Sequence, residues 1–410
     1  MWAQLKKFGL DYDDFPTIME NVSLLLWVLT INIQRKWTQR VHLIFYLTTP
    51  IAFFTYLYVY LFTTIWLVFF KYGKKDIEAS SVILAIGLNS IISATKFLFM
   101  KLYANEIKNT VHDFLQCDSQ VVPNTRFAKN LRKNLRVVKK RSLLIWITFA
   151  ANGLIYLILP LATPGRHFTI ELFLLYGLEP MFESPNYEIA TVIFTISSGF
   201  AVYSMVGIAV YVLVIVGYNE AQMYTLSEEL RNLWNDSRKF YNHNKHKISD
   251  KRQAVYMKEQ IMNEFIRIRL KDIIRFHIAN INLLRELNQE LRPLLALEYT
   301  LLVIAIIAEL LGGLEHTYLA LPYTIVQMLM DCLAGQRLID ASDDFERSVY
   351  SCQWEHFNTS NQKTVFLMLM MSEKTLILST GGFATLNYQF LMAILKTSYS
   401  TYTTLKSTVN

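Results

Sequence analysis

Near the C-terminus eight consecutive residues carry hydroxyl groups: Thr397, Ser398, Tyr399, Ser400, Thr401, Tyr402, Thr403 and Thr404. Neutral hydroxyls touch hydrated ions without holding them tightly. The run reads either as a polar tail leaving an apolar span or as a helix that continues and lines water. In the second reading Ser400, Thr404 and Ser407 fall at i, i+4 and i+7, one face of a helix, with Thr401 beside them. One such helix encloses nothing, whereas copies around a symmetry axis could form a pore. Enzyme signatures are absent: the chain has no Walker loop, HExxH, GxSxG or dinucleotide fingerprint, so neither catalysis nor a cofactor is expected. His243 and His246 lie three apart in a polar run without cysteine or carboxylate partners, which reads as a solvated loop and not a metal site.

The elements that must position these residues are membrane helices. Of the 410 residues 53% are hydrophobic and 14% aromatic, and that apolar surface calls for a bilayer. A crossing helix needs roughly 20 apolar residues. Seven segments qualify: Val41–Phe70, Ser80–Met100, Ser142–Ala162, Ile189–Val216, Leu294–Leu311, Tyr318–Leu333 and Thr375–Leu395. The sixth is short and carries Gln327 and Asp331. An earlier apolar run, Val22–Ile33, is too short to cross and predicts a re-entrant or interfacial helix. No cleavable signal is expected, because Lys6 and Lys7 lead into the acidic stretch from Asp11 to Pro16.

Loop charge sets the orientation, since Lys and Arg stay on the cytoplasmic side. The segment between the second and third spans holds ten of them, from Lys101 to Arg141. The loop after the third span holds only Arg166, beside Glu171, Glu179 and Glu183. Lys74 and Lys75 dissent after the first span but do not outweigh ten. The expected fold is an all-α membrane protein with seven transmembrane helices, a cytoplasmic N-terminus and an extracellular C-terminus. The net charge of +7 is thereby explained by orientation, and no nucleic-acid partner is expected. Cys117, Cys332 and Cys352 all fall outside the expected outer loops, so disulfides are not expected to hold the fold. The Asn-X-Ser/Thr triplets at Asn21, Asn235 and Asn358 fall on inner segments and read as chance matches.

The inner segment Asn219–Arg292 repeats Ile261, Phe265, Ile268, Ile273, Ile274, Ile278, Ile281 and Leu284 at near-helical spacing. Helices extending inward this way could pack into a cytoplasmic platform. The expected divisions are 1–40, an inner segment with the short helix; 41–333, the first six spans with their extensions; 334–374, an inner anchor segment; and 375–410, the seventh, pore-lining helix. A G-protein-coupled receptor would put its N-terminus and the ten-base loop outside. A secondary transporter fits less well, because no repeat is visible.

The last hundred or so residues resemble those of insect odorant receptors. Cys332, Gly335, Ser342, Tyr350 and Trp354 match the spaced pattern of that family's sixth helix and its inner extension. Ser398-Tyr399-Ser400 with Leu405 is similar to its terminal serine-tyrosine motif, although Thr401 and Thr404 stand where the family more often has bulkier residues. The resemblance implies an odorant-gated, non-selective cation channel: a tetramer whose seventh helices surround the pore and whose inner helix ends form an anchor domain. It also implies a tuning subunit partnered in a heterotetramer with the family's shared coreceptor, because an insertion of that coreceptor in the fourth inner segment is missing. The implied setting is the plasma membrane of olfactory sensory neurons, with cations as the permeant ions. A gustatory receptor of the same superfamily is the nearest alternative.

The resemblance further implies a ligand pocket in the outer half, bounded by the second to sixth helices. The residues that could face it are Leu88, Ile91, Ile92, Phe149, Asn152, Gly153, Tyr156, Phe200, Tyr203, Ser204, Tyr318 and Tyr323. Aromatics at helical spacing usually pack against neighbouring helices. Asn152 and Ser204 are singled out because a buried amide or hydroxyl needs a partner that a ligand oxygen could supply. Such a pocket suits a small, volatile, weakly polar organic molecule. For about 12 heavy atoms at roughly 0.5 kcal/mol each, binding is about 6 kcal/mol, or tens of micromolar.

Overall fold

Apolar runs with helical periodicity become helices almost throughout the computed structural model, which describes residues 7–35, 43–73, 75–244 and 253–409. Helix α1 (Phe15–Trp27) starts where the Asp14 carboxylate accepts from the Thr17 amide and Pro16 sits in the first turn. It ends before Thr30, which adopts a left-handed conformation. The predicted short helix over Val22–Ile33 therefore lies seven residues too late at its start, because capping at Asp14 outweighs the apolar run as the boundary signal. The first span is α2 (Leu43–Tyr72), with Pro50 inside it and two wider π turns at Tyr58–Thr63 and Leu67–Tyr72. Its predicted first residue, Val41, lies outside the described residues.

The second span, α3 (Ile77–Leu102), is capped by Asp76 and followed by the amphipathic α4 (Ala104–Ser119). The third, α5 (Arg126–Ala162), is capped by Thr125. Next come α6 (Asn186–Asn244) and α7 (Gln253–Leu311), each 59 residues long. At 1.5 Å per residue each runs about 88 Å, far beyond the roughly 30 Å of hydrocarbon. The surplus continues the predicted fourth and fifth spans, as the near-helical spacing after Asn219 implies. A single turn, α8 (Leu314–Thr317), leads into α9 (Ala320–Tyr350), and α10 (Thr359–Ser372) follows. Asn358 caps α10 by accepting from the Asn361 amide, and Asn21 is buried and donates to the Lys7 carbonyl, so both triplet asparagines serve the fold.

The predicted seventh span needs correction. Thr375–Leu395 is not one helix: β1 (Ser379–Thr380) and β2 (Ala384–Thr385) form a small antiparallel hairpin, and α11 runs over Tyr388–Val409. Gly381 and Gly382 both take positive φ, which a helix cannot accommodate and glycine can. The hydroxyl run lies inside α11, so the helix continues through it.

Seven long helices are present among the described residues, and five of them are long and apolar enough to cross a membrane: α2, α3, α5, α6 and α7. The other two, α9 and α11, carry more polar residues. Helix α6 lies at the centre, packed by α1, α2, α3, α5, α7 and α9, and its stretch from Ser204 to Met223 is wholly buried. On the predicted inner side, Glu229 of α6 receives Arg126 of α5 at 2.8 Å and also pairs with Arg269 of α7. Arg141 pairs with Glu220, and Lys139 donates to the carbonyls of Lys7, Gly9 and Tyr12 at 2.7–3.0 Å. Many of the bases that set the orientation thus also clamp the inner ends of the helices together. Cys117, Cys332 and Cys352 are buried free thiols.

A candidate ligand cavity and a hydroxyl-faced helix

A cavity of about 110 Å³ lies where α2, α3, α5, α6 and the start of α9 converge beneath the loop after α5. An engineered dry cavity of about 150 Å³ accepts one benzene ring, so the scale here is that of one small volatile molecule. Helix α3 contributes Ile86, Asn89, Ser90 and Ser93, at i, i+3, i+4 and i+7. Helix α5 adds Asn152, Gly153 and Tyr156, and α6 adds Ser198, Ala201 and Val202. Tyr60 comes from α2, with its hydroxyl 2.7 Å from Ser198 Oγ. His316, Tyr318, Leu319, Ala320 and Tyr323 close the remaining side.

The outer loop is pinned over this end. Thr169 and Ile170 line the cavity, and Thr169 donates to the Tyr156 carbonyl at 2.6 Å. The Tyr72 hydroxyl donates to the Leu172 carbonyl at 2.8 Å, and Lys71 pairs with Glu179. On this loop His167 pairs with Glu171, which raises its pKa above the ordinary imidazole value. A second, smaller cavity of about 50 Å³ shares Tyr156, Thr169, Ile170 and Ser198 with the first. It extends the same space outward along Phe168 and Tyr187.

Of the twelve predicted residues the cavity brings together five: Asn152, Gly153, Tyr156, Tyr318 and Tyr323. The Asn152 amide has no hydrogen-bond partner among the described residues and is available to a ligand. Leu88, Ile91 and Ile92 are not in the wall, because the cavity face of α3 is the stripe through Asn89 and Ser93. Phe149 stacks edge-on against Tyr323 at 5.3 Å and supports the wall from behind. Phe200 packs among Phe53, Tyr56 and Phe97, Tyr203 donates to the Leu25 carbonyl at 2.8 Å, and Ser204 donates to Ala201 within its own helix. Those three lie below the cavity, toward α1.

Several polar groups escaped the sequence reading: Tyr60, Asn89, Ser90, Ser93, Ser198 and His316. A signal existed for the buried ionisable groups behind them, since any charge inside a span is a functional candidate. Glu309 is wholly buried and its Oε1 accepts from Asn89 Nδ2 at 2.8 Å and Thr324 Oγ1 at 2.7 Å. Deeper, Lys96 of α3 and Glu298 of α7 form a buried ion pair at 2.6 Å, with Gln327 Nε2 donating to the same carboxylate oxygen at 2.7 Å. A larger cavity of about 280 Å³ lies between α1, α5 and α6, lined by Ile18, Val22, Trp146 and Val214 among others. None of the predicted ligand residues reaches it.

In α11, Ser400, Thr404 and Ser407 are exposed on this chain and Thr401 is half-buried. Thr401 donates to the Thr397 carbonyl at 2.9 Å, Thr404 to Ser400 at 3.0 Å and Ser407 to Thr404 at 2.8 Å. With the protons of Thr401, Thr404 and Ser407 given to the backbone, these three hydroxyls turn only lone pairs outward, an acceptor surface suited to cations. Ser398 is buried, so the outward stripe and the packed side of α11 are distinct. Among the described residues no group of His, Cys, Asp and Glu could hold a metal ion. His243 lies in the last turn of α6 and not in a loop as expected, and His246 lies outside the described residues.

These features define an all-α, multi-pass membrane protein with a polar-edged cavity at one end of its helices. Residues 76–399 match the family described as 7tm Odorant receptor, and the chain belongs to that family, one of receptors and not enzymes. Solved structures of an insect olfactory receptor share its fold, two of which are compared with it. One is the insect olfactory receptor OR5 from Machilis hrabei in complex with eugenol, with a TM-score of 0.74 and 11% identity over 97% of this chain and 100% of that one. The other is a second structure of the insect olfactory receptor OR5 from Machilis hrabei, with a TM-score of 0.73 and 10% identity over 94% of this chain and 97% of that one. No curated protein sequence matches this chain.

Proposed function

We propose that this chain is an odorant-binding subunit of a ligand-gated, non-selective cation channel, with the cavity at Asn152, Tyr156 and Tyr323 as its ligand site. The observation that carries the reading is the cavity itself: apolar and aromatic, edged by a few polar groups, and of a size for one small volatile molecule. The eugenol complex of a receptor with the same fold supports it. Orientation follows from loop charge, with the N-terminus and the clamped helix ends in the cytoplasm.

The pore is formed by α11 of four subunits, with Ser400, Thr401, Thr404 and Ser407 toward the axis. Helix α9 links ligand to pore, because it carries Tyr323 in the cavity wall, packs on α11 and meets the residues leading into it where Gly335 faces Leu386. Tyr299 of α7 joins the same junction, 3.3 Å from Cys332 Sγ and with its ring 5.2 Å from that of Phe390. A ligand that fits one placement of α9 better than the other shifts the gate by that difference alone. The partner is an odorant-receptor coreceptor and the setting is the plasma membrane of olfactory sensory neurons.

The test is to express the chain with and without that coreceptor and record current while applying volatile ligands. Coreceptor-dependent cation current without G-protein signalling is expected. Substrate accumulation without channel-like current would overturn the reading in favour of transport.

A further inference from the structure

We propose that the cavity selects small apolar molecules bearing one O–H or N–H donor over acceptor-only analogues of the same shape, and that Glu309 sets this choice by locking the Asn89 amide. The inference rests on the cavity being the ligand site. Asn89 lies in the cavity wall yet is only 8% exposed, and it spends both amide protons inward. One goes to Glu309 Oε1 at 2.8 Å and the other to Thr324 Oγ1 at 2.9 Å. The Thr324 hydroxyl in turn gives its proton to Glu309 Oε1 at 2.7 Å. Both protons of the Asn89 amide and the proton of the Thr324 hydroxyl are therefore consumed.

What remains unpartnered is Asn89 Oδ1, which can only accept, and Glu309 Oε2, which accepts when ionised and donates when protonated; Oε1 accepts from Asn89 and Thr324 in either form. Glu309 is wholly buried, has no ion-pair partner among the described residues and stands behind the wall, so the acceptor left to a ligand is Asn89 Oδ1. A buried acceptor left bare is unfavourable, and a ligand donor relieves it. The other polar groups of the wall do not discriminate. Ser90, Ser93, Ser198 and the free Asn152 amide can each turn to donate or accept. Among the polar side chains that α3, α5 and α6 bring to the wall, only the locked amide has a fixed sense. Glu309 is not itself in the wall, which makes it a positioning residue for Asn89.

The experiment records currents from the full chain with a coreceptor in response to matched neutral probes: 2-phenylethanol, its methyl ether and phenylacetaldehyde, and indole with N-methylindole, together with aliphatic alcohol, ether and aldehyde sets. The alcohol or the N–H indole of an active set is expected to act at concentrations about tenfold or more below its acceptor-only or methylated counterpart. The alcohol and indole arms separate an O–H from an N–H donor. Glu309→Gln introduces an amide that can donate and accept, freeing Asn89 to turn, so the ratio between alcohol and ether should fall toward one while the ranking by ligand size persists. A purely structural role for Glu309 would instead lower all responses alike and leave the ratio intact, which overturns its positioning role. Equal potency of alcohol and ether in the unaltered chain overturns the selectivity while leaving the ligand site standing. Silence to every probe with subunits at the cell surface removes the ligand site and this inference together.

Discussion

A Cβ added to Gly335 would overlap the carbonyl oxygen of Leu386, where α9 meets the residues leading into α11. Backbone cannot yield as a side chain can, so Gly335→Ala should destabilise the fold by about 1–3 kcal/mol or more. Thermal melting of the purified receptor and surface labelling would show the loss. Gly199→Ala is the control: no atom lies within 4 Å of its added Cβ, and melting should be unchanged or slightly raised. Gly153 is different again, because its added Cβ would meet both Val202 methyls at 2.7 Å, and Val202 is itself cavity wall. Gly153→Leu should abolish responses to larger ligands while surface expression persists. Unchanged dose–response curves would remove Gly153 from the ligand site.

Helix α4 is held against α1 and α6 with Asp118 near Tyr218 and Asp14. Burial pushes the Asp118 carboxyl up to about 6, against the opposing hydrogen bond with Tyr218. The native protein then binds this proton more tightly than the unfolded chain, whose value is near 3.8. Stability should therefore fall as pH rises from about 4 through about 6, and Asp118→Asn should flatten that part of the melting-temperature profile. A second junction joins three elements at once: Glu229 of α6 holds Arg126 of α5 and Arg269 of α7. Glu229 is 2% exposed but its partners are 37% exposed, so solvent screening discounts the loss. Glu229→Gln should lower stability by about 1–2 kcal/mol, measured by melting in detergent.

At the scale of the whole molecule, α11 exposes a stripe of hydroxyls beside apolar Leu405 and Tyr399 on a single chain. A lipid-facing helix gains nothing from such a stripe, whereas a subunit arranged around an axis puts it against water. Thr404→Leu should accordingly reduce current or alter ion preference with odorant ranking unchanged. A shifted ranking with normal conductance would contradict the assignment of α11 to the pore.

The sequence by itself determined the helical membrane class, the charge asymmetry and most crossing segments, because each depends on local composition over 20 or so residues. It also marked Asn152, Tyr156 and Tyr323, since a polar or aromatic group in an apolar run is visible without knowing its neighbours. It could not separate Asn89 from Leu88 or Ile91, for which face of α3 borders a cavity depends on how four other helices stand around it. Nor could it see that Glu309, Thr324 and Asn89, spread over 235 positions of sequence separation, share one hydrogen-bond cluster. The seventh span was misplaced for a related reason: hydropathy counts Gly381 and Gly382 as tolerable in a helix, whereas the backbone there turns with positive φ and the helix begins only at Tyr388. Local chemistry decided which segments are helical, and only packing decided which of their faces meet.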